Sequence, residues 1–335
     1  MTSKANILSD TDKNDTVYTY NALDQLVTAT TSNIVSGEQT SNKTYTYDKN
    51  GNNIQEVDSI KNITKEMTYD VDNRLDVYTE TKGNTTTTQS NTYNGNGQRI
   101  QKQEGDNTIN YFYQGSNVIY TTNGDRNKTS HNIVGIEGNT ISTIRYNLSG
   151  LEYYVYNKDI KGSISNIVDS NKNAKLSYTY SDFGETEEAG DTDFYNEIAY
   201  TGGIYDSLSN LYYLNARYYN PEDARFITQD TYRGEKDKPD TLHLYSYCAN
   251  NPINYIDPSG HRRRRIRLSR KRRQTLKKIC TVIAIVASIL TMTVFLVSYT
   301  ASFYMIAISL PKWYFTARKI VHTVIFWVGF LSGIL

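Results

Sequence analysis

The sequence predicts a mainly β protein, a strip of antiparallel hairpin repeats followed by a C-terminal α-helical transmembrane hairpin. Three observations predict it. An aromatic-x-aromatic unit followed by a turn signal recurs along the chain up to Tyr180. All five prolines lie at or after residue 221, so nothing in the repeats removes a ladder hydrogen bond. Residues 279–310 form 32 consecutive uncharged positions, where about 20 suffice to cross the hydrocarbon of a bilayer.

Composition divides the chain at residue 261. The net charge of the 335 residues is +1, but all 35 acids precede residue 262, and the 14 basic residues after it face no acid at all. Tyr shows the same asymmetry, with 27 of 30 before 262, while both Trp follow it. The two cysteines, Cys248 and Cys280, flank the division, which excludes a disulfide scaffold or a Cys-based zinc site. No cofactor or metal motif is present. Residues 1–15 are polar and carry no secretory-type apolar segment, so the chain reads as the tail end of a longer architecture.

The repeats occupy residues 16–196. Tyr18-Thr-Tyr20-Asn, Tyr45-Thr-Tyr47-Asp, Met67-Thr-Tyr69-Asp, Asn91-Thr-Tyr93-Asn and Tyr111-Phe-Tyr113-Gln come in series, with looser copies at Tyr154-Val-Tyr156-Asn and Tyr178-Thr-Tyr180-Ser. Residues two apart in a strand share a face, so each unit puts two rings on one side. The Asp or Asn that follows bonds its own backbone, and a Gly or Asn three positions on tolerates positive φ. A second alternating run such as Arg74-Leu-Asp-Val-Tyr-Thr79 completes a hairpin. Stacked hairpins make one long antiparallel sheet in which each unit covers its neighbour's edge. Polar strand residues keep one side wet.

These Tyr-Asp-x-x-Gly/Asn units resemble the YD repeats of Rhs-type proteins and the related teneurin shell. The resemblance covers residues 16–261 and implies a strip of a β-shell. Residues 197–261 are similar to the Rhs-repeat-associated core. They read Tyr200-Thr-Gly-Gly-Ile-Tyr-Asp206, Leu211-Tyr-Tyr-Leu-Asn-Ala-Arg-Tyr-Tyr-Asn-Pro221, Ala224-Arg-Phe-Ile-Thr-Gln-Asp-Thr231 and Leu242 through His261. In that family the core closes the shell ahead of a variable C-terminal payload, often with an aspartyl self-cleavage. Two carboxylates sharing a site cannot both ionise, so one acts as base and the other as acid. The resemblance assigns these roles to Asp230 and Asp257, with Arg225 as a partner and the cut near His261. Asp257-Pro-Ser-Gly260 keeps the family pattern, whereas Asp230-Thr-Tyr-Arg-Gly234 lacks its Pro. His261 stands where self-cleaving members carry an aliphatic residue. Both aspartates also read as ordinary turn residues, so this self-cleavage is the most that the chain offers as enzyme chemistry.

Residues 262–278 hold eleven basic residues, among them Arg262, Arg263, Arg264, Arg265 and Arg267. A nucleic-acid arm, a localisation signal and a juxtamembrane segment are the candidate readings. The adjoining apolar run favours the membrane and disfavours nucleic acid, because a basic flank attracts anionic head groups. Residues 279–335 then form the apolar transmembrane or payload region. Its second run, 320–335, is 16 residues long, with Trp313 and Trp327 placed for an interface belt.

The expected function is a polymorphic-toxin-like protein whose shell fragment delivers or anchors a membrane-inserting tail. The alternatives are a non-toxic membrane-anchored surface module and an inert displaced cassette. Expected partners are a lipid bilayer, a cognate immunity protein and the remainder of a longer shell. The expected location is the membrane, or the cell surface if the chain is part of a longer exported protein.

Overall fold

The computed structural model describes residues 3–7 and 13–266, apart from 137, 148, 149 and 192, together with helical residues 274, 277–288 and 291. It divides into two units, Met1–Ile266 and Arg267–Leu335.

The first unit is built on a 17-stranded sheet. Its strands are β1 (Ser3–Ile7), β2 (Lys13–Tyr20), β3 (Leu26–Asn33), β4 (Gln39–Tyr47), β5 (Asn53–Asp58), β6 (Ile63–Tyr69), β7 (Leu75–Lys82), β8 (Thr85–Tyr93) and β9 (Arg99–Glu104). They continue as β10 (Asn107–Gln114), β11 (Asn117–Asn123), β12 (Lys128–Val134), β13 (Thr140–Asn147), β14 (Gly150–Lys158), β15 (Ile164–Val168), β16 (Ala174–Tyr180) and β17 (Thr186–Gly190). Each strand pairs antiparallel with the next, so the sheet is one continuous meander.

The turn chemistry read from the sequence is what closes the hairpins. Asn21, Asp48, Asp70, Asn94 and Asp169 each accept, through Oδ1, the N–H groups two and four residues on. The residue three positions on is left-handed in each: Asp24 (φ 57°), Gly51 (82°), Asn73 (61°), Gly97 (78°) and Lys172 (68°). In the first four a bulge at the preceding Tyr re-aims the strand, and before Asp169 the bulge falls at Val168.

That Tyr also ties the hairpins together. The hydroxyls of Tyr69, Tyr93, Tyr113 and Tyr180 donate to the carbonyls of Asn53 (2.6 Å), Leu75 (2.7 Å), Arg99 (2.8 Å) and Ile164 (2.7 Å). Each acceptor opens the return strand of the preceding hairpin, which is why the repeat uses Tyr rather than Phe. The opposite face carries exposed Thr19–Thr28 and Thr81–Thr86 hydroxyl pairs at 2.6 and 3.1 Å, interspersed with exposed apolar side chains such as Val17, Phe112, Tyr153 and Val155.

The core segment packs on the tyrosine face. It forms β18 (Ile204–Asp206), β19 (Leu211–Tyr213), β20 (Tyr218–Asn220) and β21 (Arg225–Phe226), then β22 (Tyr255–Ile256) paired with β23 (Arg264–Arg265). Leu211, Tyr213, Tyr218 and Ile227 bury against Met67, Leu75 and Tyr78 of the sheet. Ala199, Tyr200, Tyr212, Leu214, Tyr219, Phe226, Tyr247 and Cys248 form a second cluster.

The mainly β reading of residues 16–261 therefore matches the structure, but the transmembrane hairpin does not. Among the described residues no helix is long and apolar enough to cross a membrane. The remainder of the first apolar run, the second run, Trp313 and Trp327 lie outside the described residues.

Candidate functional site

The site is assembled where the last turn of the core meets β19 and β20. Asp257 is buried, and its Oδ1 accepts the Ser259 N–H (3.3 Å), the Ser259 hydroxyl (3.1 Å) and the Arg262 N–H (3.1 Å). This folds Asp257-Pro-Ser-Gly260 into a tight turn. Gly260 has φ +73°, and a Cβ there would lie 2.6 Å from the Leu214 carbonyl oxygen, so only glycine fits. The Asn215 side chain donates to the Pro258 carbonyl at 2.9 Å, and the Ala216 N–H to that of Ser259 at 3.2 Å.

Arg217 organises the second half. Its Nε donates to the Gly260 carbonyl, its Nη1 to the Leu244 carbonyl (2.9 Å) and its Nη2 to Asp230 Oδ2 (2.8 Å). The guanidinium lies 3.6 Å from the Phe226 ring centroid. Burial pulls its pKa down to about 10 against the opposing pull of Asp230 and Asp257, so it remains a cation at neutral pH. Asp230 Oδ1 accepts the Tyr232 N–H at 3.0 Å and lies 2.9 Å from His261 Nδ1. Asp230 keeps its turn without the family's Pro because the carboxylate caps it directly.

The structure thus brings Asp230, Asp257 and His261 into one neighbourhood. Arg225 lies elsewhere. Its Nη1 donates to the Asp24 carbonyl at 3.4 Å, and its guanidinium sits 4.7 Å from the Tyr20 ring centroid, on the first described YD turn. Arg217 holds the place expected for Arg225. Nothing local in the sequence flags it, because its contacts reach 13 residues forward to Asp230 and 43 to Gly260.

The basic residues read as membrane contacts are partly built into the β unit. Arg262 is bound to Asp257 through its amide, Arg263 lies over Tyr255 at 4.6 Å, and Arg264 and Arg265 form β23. The compact unit therefore ends at Ile266, five residues past the composition boundary. Arg267 lies outside the described residues.

A second polar centre fixes the core to the repeats. Arg99 is fully buried and donates through Nη1 to Asp206 Oδ2 and to the Tyr218 hydroxyl (2.7 Å). Lys102 reaches Glu197 at 2.8 Å and Asp206 at 3.3 Å. Burial pushes the Asp206 carboxyl up, yet Arg99 and Lys102 outweigh it and hold the carboxyl at about 2. Sequence reasoning missed this centre. The available signal was a charged residue, Arg99, in the slot that Leu26, Leu75 and Ile164 fill elsewhere.

A meander of YD hairpins with a core docked on its tyrosine face is the architecture that the sequence resemblance implied. Residues 92–253 match the Teneurin YD-shell family model. The chain is 33% identical over 219 residues to the tRNA3(Ser)-specific nuclease WapA of Bacillus spizizenii, covering 64% of this chain and 9% of that protein. Teneurin-3 of Danio rerio is 31% identical over 110 residues, 32% of this chain and 4% of its own length. Among solved structures, TcdB2-TccC3-Cdc42 aligns with 74% of this chain and 15% of its own, at 19% identity and a TM-score of 0.47. These matches support the Rhs/YD-shell resemblance read from the sequence. The chain spans about a tenth of the length of the WapA relatives it matches, 9% in each case.

Proposed function

We propose that this chain is a shell segment of an Rhs-type, polymorphic-toxin-like protein, and that its core cuts the chain at the His261–Arg262 peptide bond. Residues 16–196 supply the YD strip, and 197–261 supply the cleavage centre. One observation carries this reading. The two aspartates contact neighbouring residues, Asp230 the His261 imidazole at 2.9 Å and Asp257 the Arg262 amide N–H at 3.1 Å. The bond between those two contacts is His261–Arg262.

The chemistry needs one ionised and one protonated carboxyl. Asp230, paired with Arg217, is the base that takes a proton from water as the water oxygen attacks the His261 carbonyl carbon. Asp257, beside the Arg262 nitrogen, is the acid that protonates it as the C–N bond breaks. The products are a His261 carboxylic acid and an Arg262 amine, which exchange a proton to become carboxylate and ammonium, and the catalytic proton has moved from Asp257 to Asp230. Severing the covalent link between shell segment and tail is the functional outcome. The tRNA nuclease activity named for the WapA relatives is not transferred, since the match spans so little of them and residues 262–335 contain no Asp or Glu.

The test is intact-mass measurement of the purified full chain during incubation at mildly acidic and neutral pH. Wild type should yield two fragments, and Asp230→Asn and Asp257→Asn should stay whole while keeping the wild-type strand signal in circular dichroism. A wild-type chain that remains intact contradicts the proposal. Asn variants that are still cut point to an outside protease.

A further inference from the structure

Among the described residues, the β22–β23 ladder, the Ile266 amide bond and the Arg263 ring contact that hold residues 262–266 have their partners before the proposed cut. Tyr255 faces Arg265 and Ile256 faces Arg264 across the β22–β23 ladder. The Ile266 N–H donates to the Asn254 carbonyl at 2.9 Å, and the Arg263 guanidinium lies 4.6 Å from the Tyr255 ring centroid. Hydrolysis of the His261–Arg262 bond breaks none of these.

It changes one further contact. Before cleavage the Arg262 nitrogen is an amide that donates to Asp257 Oδ1 at 3.1 Å. Hydrolysis turns it into an α-amine, which is largely protonated at neutral pH, with a usual pKa near 8. A neutral amide hydrogen bond then becomes a charge-assisted one to a buried carboxylate, roughly twice as strong. Ser259 shares that carboxylate oxygen through its N–H and hydroxyl, so the acceptor is already oriented. We propose that the Asp257 turn and the β22 edge form a binding site for a free N-terminal amine on an extended, arginine-rich segment, and that the cut tail is retained there until the ribbon is opened. The proposal rests on the self-cleavage reading for its biological sense. The site itself is tested without it.

The experiment uses the full chain carrying Asp230→Asn, to silence self-cleavage, and an inserted protease site cut immediately before Arg262. After cutting, size-exclusion chromatography in detergent reports whether the tail stays with the shell segment. The tail should co-elute, and Tyr255→Ala should weaken retention by roughly two- to fivefold, as expected for loss of one cation–π contact. A synthetic peptide of residues 262–278 with a free α-amine should displace the tail at about tenfold lower concentration than its N-acetylated form. Asp257→Asn should abolish that difference. Immediate loss of the tail, or equal competition by the two peptides, overturns the site. A retained tail in a chain whose wild-type form never cuts itself would sink the cleavage reading alone.

Discussion

Arg99 shows how much one side chain decides. It stands at the hairpin position that Leu26 and Leu75 fill, and it exchanges an apolar contact for an ion pair with Asp206 in which neither side chain is exposed. Arg99→Leu suits the repeat but strips Asp206 of its main partner. It should cost about 3–5 kcal/mol, the usual penalty for breaking a buried pair. Adding Asp206→Asn should recover a good part of that loss, measured as coupling in urea unfolding. Additive losses would show that the pair does not act as a unit. Asp206 is held at about 2, and Glu197 is also held down, its burial outweighed chiefly by Lys102. Depressed carboxyls stabilise the fold above the ordinary carboxylate range and lose that contribution as pH falls. Urea midpoints should therefore drop between about pH 4.5 and 2. Asp223, pushed up by burial, opposes part of this loss. A flat profile across the window contradicts the cluster's role. The tyrosine ladder makes a smaller claim. Tyr69→Phe leaves the Asn53 carbonyl without its 2.6 Å donor and should cost about 1 kcal/mol.

The hairpins were legible because their information is local. Asp48, Asn50 and Gly51 fix a turn within five residues, and Tyr45 and Tyr47 declare the buried face by spacing alone. What sequence could not show is where such a turn is used twice. Gly51 closes its hairpin with φ +82°, and it also lies against the core, where an added Cβ would meet Gln229 Nε2 at 2.3 Å and the Tyr245 hydroxyl at 2.7 Å. Gly37 has a similar φ of +72° and nothing within 4 Å. Gly37→Ala should cost only the backbone term, about 1 kcal/mol. Gly51→Ala should add about 1–3 kcal/mol for the collision. Equal losses in thermal unfolding would mean that this turn does not support the core. The same limit hid Arg217 and the β22–β23 ribbon. Arg264 and Arg265 read as part of a basic run, and only their pairing with Tyr255 and Ile256 makes them a strand.

At the scale of the whole chain, composition marked the change of character at residue 261, while packing carries the β unit on to Ile266. The transmembrane reading came from counting uncharged residues. Length and apolarity permit a span, but they do not make a helix of that length, and among the described residues none is found. The core brings Asp230 to the His261 imidazole and Asp257 to the Arg262 amide, and the cut proposed between those two contacts is the centre of the functional account. N-terminal sequencing of the smaller fragment after incubation of the purified full chain tests it most directly. The account predicts a fragment beginning Arg262-Arg-Arg-Arg265. A chain with no new N-terminus, or a fragment that begins away from Arg262, would contradict it.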